Sequence, residues 1–452
     1  MSSLFKQRLS QRENELLARA LQGPNAFATL CAGTDAAVLC FQNLANTYNA
    51  AGLSHAFACE SNPEKQRFIE TMFEGTIRFL FSDVHDLASG VAFDTLSCSR
   101  ASVPAVVGIV AGFPCQDASA LNHRSRESAS RSCIAGGSHR TGSVFESICK
   151  FVWTRPQVEW LILENVAALA SPPQGSDEPS NLDFVVHKLA ELGFRTITFM
   201  LDPTMFGQLS SRKRLFMLSV RDKLVQNAGW SAADFESHAI AIMNKLVGLP
   251  SCQLDDALLD EGHPLVRSTE ATAAAPKKRT LRESVTWPQE HLDWASRKGF
   301  KWWCPNPLTQ AATMEKFRGL FELTERQLDL LALNGFTLPM EDVVCLDVNL
   351  SCKWSRPCAG RTPCLTSTSQ IYIGHRGRLL LGAEALRVMG IIYPNEMKLE
   401  RFKGGLLKNL AGNAFDAASC TAAMIVMMLT LTELKDEGGR RHDDDDSRDG
   451  VR

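Results

Sequence analysis

The feature of this chain that most constrains its fold is where its apolar runs end. Between Phe27 and about Val220, apolar runs of strand length alternate with longer helix-compatible segments. Strands that are buried on both faces read as continuous apolar runs, so the alternation predicts a mostly parallel sheet covered by helices. The fold class expected is therefore α/β, doubly wound. Ala26–Leu30 leads into Cys31-Ala32-Gly33, the run 56–59 into Glu60, and the run 79–82 into Asp83. The run 106–111 leads into Gly112-Phe113-Pro114-Cys115-Gln116, and the run 160–163 into Glu164-Asn165. In open α/β sheets, ligands bind in the crevice beyond the carboxyl ends of the strands, so these five ends describe one site.

Outside that region the pattern changes. Residues 4–21 carry apolar and charged residues at helical spacing, and Gly23-Pro24 closes this N-terminal helix. Between about 222 and 355 the alternation is lost, which predicts a second, smaller domain containing a basic section from Lys277-Lys278-Arg279 to Lys301. Regular helices return over 382–389 and 414–434, and the tail beyond Lys435, with aspartate at 443–446, is expected to be disordered. With 452 residues, 45% hydrophobic and 22% charged, the chain can bury one large core and a smaller one. No stretch approaches the roughly 20 uninterrupted apolar residues of a membrane span, and residues 1–25 do not read as a cleavable signal. An intracellular location without membrane attachment is expected, in the nucleus of a eukaryote or the cytoplasm of a bacterium. The 14 cysteines are scattered, which predicts reduced thiols. Cys345, Cys352, Cys358 and Cys364 lack a Cys-x-x-Cys pair, so no metal site is expected.

A cysteine delivered by a rigid strand into a loop that can close suits a nucleophile. Here the sequence resembles the cytosine-5 DNA methyltransferases, over nearly the whole chain from Phe27 to about Met427. Gly112-Phe113-Pro114-Cys115-Gln116 resembles that family's catalytic Pro-Cys-Gln motif, and Glu164-Asn165-Val166 its Glu-Asn-Val motif. Ser211-Arg212-Lys213-Arg214 resembles its paired-arginine motif. Residues 374–394 resemble the return to the catalytic domain, and Gly412-Asn413-Ala414 the closing motif. The resemblance implies an N-terminal helix over 1–24, a catalytic and cofactor-binding domain over 25–221, and a target-recognition domain over 222–370. The return to the catalytic domain then spans 371–435 and the acidic tail 436–452.

The implied activity is transfer of methyl from S-adenosyl-L-methionine to carbon 5 of a flipped cytosine, by a monomer on double-stranded DNA. Carbon 5 is a weak nucleophile until a thiolate adds at carbon 6, the role implied for Cys115. Charge pushed into the ring must be absorbed, which falls to Glu164 at ring N3 and the exocyclic amine. Arg214, with Arg212 beside it, is implied at the O2 edge. For the cofactor, Cys31, Ala32 and Gly33 form the turn, Glu60 accepts from the ribose hydroxyls and Asp83 reads the adenine amine, while Pro114 and Asn413 complete the pocket.

The chain departs from the family pattern in three places, one being the loop 117–140, which lacks the Phe-Ser pair common after Pro-Cys-Gln. Gly33-Thr34-Asp35-Ala36 stands where the glycine-rich motif ends Gly-x-Gly-Gly, and Ser210 stands where glutamine is usual. Arg124, Arg126, Arg131 and Arg140 after Cys115 are expected to contact phosphates. The competing readings are a tRNA cytosine-5 methyltransferase and a catalytically silent nucleic-acid-binding scaffold. Phe113, where the tRNA-methylating branch usually has proline, favours DNA, and intact Cys115, Glu164 and Arg214 favour an active enzyme.

Overall fold

The computed structural model describes residues 1–23, 25–115, 117, 133–134, 140–172, 179–267, 286–300, 323–335 and 342–449. The chain divides into two compact units. Met1–Phe206, Lys213–Pro250 and Ala414–Arg452 form the first, and Gly207–Arg212 with Ser251–Asn413 the second.

The first unit is built on β1 (Ala26–Leu30), β2 (Ser54–Cys59), β3 (Leu80–Phe81), β4 (Val91–Asp94), β5 (Ser99–Ser102), β6 (Gly108–Gly112), β7 (Trp160–Val166), β8 (Phe194–Leu201) and β9 (Arg214–Arg221). They form one nine-stranded sheet in the order β5-β4-β3-β2-β1-β6-β7-β9-β8. The ladders from β3 through β2, β1 and β6 to β7 are parallel, as the apolar runs predict. The order reverses between β1 and β6, which puts the crevice of a doubly wound fold at the ends of those two strands. Side chains along β1, β6 and β7 are buried almost without interruption. One face packs Phe57, Phe81 and Phe151 edge to face, and the other packs Phe27 and Trp160 around Phe41. At Gly108 an added Cβ would fall 1.9 Å from the Trp160 indole, so only glycine fits beneath that ring.

Both edges of the sheet are antiparallel, β4 with β5 on one side and β7 with β9 and β8 on the other. Pairing with β9 carries β7 through Glu164, Asn165 and Val166, three residues past the end that the apolar run suggests.

Four expectations are corrected here. The N-terminal segment is two helices, Ser2–Arg8 and Gln11–Ala20, because Ser10 caps the second by accepting from the Glu13 N–H while the Glu13 side chain bonds back to the Ser10 backbone. Second, the closing helix Ala417–Asp449 does belong to an apolar stretch long enough to cross a membrane, with a mean hydropathy of 1.7. That stretch is 89% buried inside the protein, and the helix packs on helices Gln11–Ala20, Ala36–Thr47 and Ala232–Leu246 and on β7. A helix that is apolar all round is accounted for by such a central position. Third, this helix continues past Lys435 instead of dissolving into a tail, because its charges find partners. Lys435 pairs with Glu159 at 2.6 Å, Asp436 with Arg19, and Glu437 accepts from the Trp230 indole. Residues 222–250, grouped with the second domain by the loss of alternation, pack in the first unit.

The second unit holds a four-stranded antiparallel sheet, β11-β10-β12-β13, made of β10 (Val344–Asp347), β11 (Cys358–Ala359), β12 (Ile371–Ile373) and β13 (Arg378–Leu379). Leu328, Leu331, Leu346 and Tyr372 form its core with Ala295. Helices Gly382–Val388 and Gly404–Asn413 pack closely, since a Cβ on Gly382 would stand 2.5 Å from that of Leu407. Glu384, fully buried, accepts from both terminal nitrogens of Arg378 at 2.8 Å and from the Leu259 and Leu381 N–H groups at 2.9 Å.

Candidate active site

β6 and β7 are neighbours with Gly112 opposite Glu164, so the strand that delivers Cys115 and the strand that carries the acid end side by side. Phe113 is buried against Phe145, with ring centroids 5.5 Å apart, which anchors the chain just before Pro114 and Cys115. The buried Asn165 amide donates to the Phe113 carbonyl at 3.2 Å, tying the exit of β6 to β7. Pro114 and Cys115 are half-buried. Gln116 and Arg124, Arg126 and Arg131 lie outside the described residues, as do Lys277-Lys278-Arg279 and Lys301-Trp302-Trp303.

Glu164 is buried, and its Oε1 pairs with Arg214 Nε at 3.2 Å. Arg214 opens β9 opposite Val166, so the antiparallel pairing of β9 with β7 is what brings the guanidinium to the acid. Two residues earlier the chain belongs to the second unit. There Arg212, also buried, donates from Nη1 to the Leu365 carbonyl at 2.7 Å, and Ser210 bridges to Thr362.

The turn after β1 is unusual backbone. Cys31, Gly33 and Asp35 all have positive φ, at 55°, 57° and 53°. Three left-handed residues within five reverse the chain tightly at the end of the strand. The Gly33 N–H donates to Glu60 Oε2 at 2.9 Å, and the Asn62 N–H donates to Oε1 at 2.9 Å. Each carboxylate oxygen offers about two acceptor sites, so both retain capacity for a vicinal diol such as a ribose. Ala32 fastens the turn to β2 by donating to the Cys59 carbonyl at 3.0 Å. Burial first, and Glu60 second, push the Cys31 thiol up to about 12, so it lines the turn as a neutral group. Asp83 accepts the His85 N–H at 2.9 Å through one oxygen, capping the turn after β3. Donor and acceptor chemistry at the ends of β1, β2 and β3 thus fits an adenosine-bearing cofactor. Asn413 lies in the second unit at the end of its helix, where its amide donates to the Asn409 carbonyl at 2.9 Å. Arg140 opens helix Arg140–Trp153. Among the described residues, no three metal-ligating side chains converge.

One residue of this site carries no motif. Phe415, two positions after Asn413, lies over Gly112, where an added Cβ would come within 2.7 Å of its ring and 3.5 Å of Glu164 Oε2. Its ring also meets Phe216 of β9 at 6.4 Å. It therefore backs β6, β7 and β9 together at the point where Cys115 leaves the sheet. Its position directly after the Gly-Asn-Ala segment is the signal that could have found it.

The sequence model of the C-5 cytosine-specific DNA methylase family matches residues 26–302. The chain is 26% identical over 450 residues to the DNA (cytosine-5-)-methyltransferase DMT5 of Cryptococcus neoformans var. grubii, covering 93% of this chain and 18% of that protein. It is 24% identical over 152 residues to the orphan methyltransferase M.SPRI of Bacillus phage SPR, covering 33% of this chain and 31% of that protein. This chain thus spans under a fifth of the fungal relative's length. Among solved structures, the Dnmt2 methyltransferase of S. pombe is similar, with a TM-score of 0.46, 14% identity, and coverage of 89% of this chain and 98% of that one. A putative DNA modification methyltransferase encoded in an E. coli prophage has a TM-score of 0.48 and 14% identity, with 91% and 99% coverage.

Proposed function

Since this chain belongs to the C-5 cytosine-specific DNA methylase family, we propose that it methylates carbon 5 of cytosine in double-stranded DNA, using S-adenosyl-L-methionine and Cys115 as covalent nucleophile. The observation that carries this reading is the pairing of Glu164 with Arg214 at the ends of β7 and β9, beside the end of β6 that leads into Cys115, with Asn165 tying the exit of β6 to β7.

The chemistry follows from those groups. The Cys115 thiolate adds to carbon 6 of a cytosine turned out of the duplex, and electron density moves into the ring. Glu164, as a carboxylic acid, donates its proton at N3 and accepts from the exocyclic amine, so that this density is absorbed as it develops. Arg214, which orients the Glu164 carboxylate at 3.2 Å, presents its remaining donors to the O2 edge. The turn after β1 with Glu60 and Asp83 would hold S-adenosyl-L-methionine, which when bound would supply an electrophilic methyl; as carbon 5 bonds to it the methyl–sulfonium bond would break, leaving S-adenosylhomocysteine. The proton on carbon 5 then leaves to a base, the S–C6 bond breaks, and the thiolate is regenerated. Turning the base out costs a few kcal/mol, offset by contacts to the opened strands.

The second unit supports duplex DNA as the partner. Arg297, Lys298 and Arg356 surround the Trp294 ring, at 5.3, 5.4 and 4.9 Å from its centroid, and Trp354 nearby in sequence to Arg356 is 64% exposed. Cations clustered about a partly buried indole, with an exposed tryptophan two residues from Arg356, suit phosphate and base contact, in a chain whose net charge of only −2 makes such clustering necessary.

The test is transfer of labelled methyl from S-adenosyl-L-methionine to duplex DNA and to total tRNA, with Cys115→Ser in parallel. Label on DNA cytosine that disappears in the variant is the expected result. Label on tRNA alone moves the substrate to RNA, and cofactor and DNA binding without label makes the chain a silent scaffold.

A further inference from the structure

Asp35 is the N-cap of the twelve-residue helix Ala36–Thr47, a position where aspartate normally accepts from the first free N–H groups of the helix. It does not: no side-chain capping bond forms, and the carboxyl is turned under the helix onto the sheet. It is 1% exposed, and neither oxygen has a hydrogen bond of good geometry. Three groups face it. The Thr29 hydroxyl on β1 lies beside it and bonds His55 Nε2 at 3.0 Å, His55 on β2 stands 3.9 Å from Asp35 Oδ2, and the Glu60 carboxylate adds negative charge. Burial holds His55 down at about 4, so a neutral ring faces the carboxyl near neutral pH. The backbone at Asp35 is left-handed, φ 53°, which glycine, asparagine and aspartate tolerate best.

We propose that Asp35 is a positioning residue for the cofactor turn, whose carboxyl must stay protonated for Gly33 to hold Glu60 in place, so that cofactor affinity depends on pH. This rests on the cofactor reading above. The argument is electrostatic. An ionised Asp35 would be a buried charge with only the Thr29 hydroxyl beside it, facing the Glu60 carboxylate that is to accept the ribose hydroxyls. Repulsion between them acts directly on the Gly33–Glu60 contact at 2.9 Å. Burial, with Glu60 as a smaller contributor, raises the Asp35 carboxyl to about 7 despite the Thr29 hydroxyl, which places the transition within reach of ordinary buffers. The sign is that of a raised acid: stability and binding competence are full at low pH and are lost as pH rises through the folded value.

The experiment measures the Kd of S-adenosyl-L-methionine and S-adenosylhomocysteine by calorimetry from pH 6 to 9, on full-length wild type, Asp35→Asn and Asp35→Ala, with melting temperatures of the unliganded proteins at each pH. A wild-type Kd that weakens above neutral pH, by up to about tenfold per unit for one proton, is expected. Asp35→Asn, neutral and compatible with a left-handed turn, should bind with a flat profile and gain melting temperature over wild type at alkaline pH. Asp35→Ala should bind weakly throughout. Parallel pH profiles in wild type and Asp35→Asn, or a flat wild-type profile, overturn the proposal while leaving the cofactor reading intact. A wild type that binds neither ligand at any pH overturns that reading and the proposal with it.

Discussion

Replacing Gly112 with alanine tests whether the wall behind the nucleophile controls its position. The added methyl would sit 2.7 Å from Phe415 Cε1 and 3.0 Å from Cζ, against an ordinary carbon contact of about 3.5–4.0 Å. Either the ring or the strand end must therefore move by about 1 Å. Gly112 has no positive φ, so the cost comes from crowding alone, about 1–3 kcal/mol of stability for an overpacked core. Three residues on stands Cys115, and a displacement of about 1 Å at a reacting atom costs about a hundredfold in rate. Gly112→Ala should thus lower kcat for methyl transfer by about that factor, with the cofactor Kd unchanged, because the turn after β1 is not touched. The decisive assay is a double-mutant cycle with Phe415→Val, read as kcat and as the denaturant midpoint. Removing part of the ring should recover much of what Gly112→Ala loses, with a coupling of about 0.5–3 kcal/mol between neighbours. Full activity in Gly112→Ala, or strictly additive losses in the double variant, would refute the wedge.

Glu164→Gln keeps the shape of the side chain that Arg214 orients but removes the acid that supplies the N3 proton; kcat should fall by about 10²–10³-fold, as for loss of one stabilising group, while the DNA Kd changes little in a gel-shift titration. Glu384→Ala strands the buried Arg378 guanidinium and two N–H groups in the second unit, and should destabilise the protein by about 3–5 kcal/mol in chemical denaturation; near-wild-type stability would show that water reaches this pair. Arg356→Ala should weaken duplex binding uniformly across sequences and reduce the salt slope by about 1, whereas Trp354→Ala should cost about 1–3 kcal/mol if the ring stacks on a base. An unchanged salt slope for Arg356→Ala would remove this surface from the DNA contact.

The sequence by itself determined those features that a short window encodes. Runs such as Ala26–Leu30, interrupted only by Thr29, and Trp160–Leu163 are almost wholly apolar, as strands buried on both faces require, so the parallel core and the residues at its strand ends were legible before any contact was known. The chemistry of a thiol after one strand and an acid at the end of another was legible in the same way. What the tertiary structure decided depends on partners far apart in the chain. Arg212 and Arg214 are two residues apart and alike in type, yet register with β7 sends one to Glu164, while the other bonds Leu365 in the second unit. A window of sequence around 211–214 holds no information about that difference, because it arises from pairing across some fifty residues on one side and 150 on the other. Phe415 becomes part of the site only because Gly112, some 300 residues earlier, leaves space for its ring. Asp35 looks like a helix cap in sequence, and only the neighbouring strand, with Thr29, and the next one, with His55, draw its carboxyl away from the helix. The charged segment after Lys435 has the composition of a disordered tail, and ion pairs to Glu159 and Arg19 keep it helical, since distant partners can offset the ordering entropy that composition alone would leave unopposed.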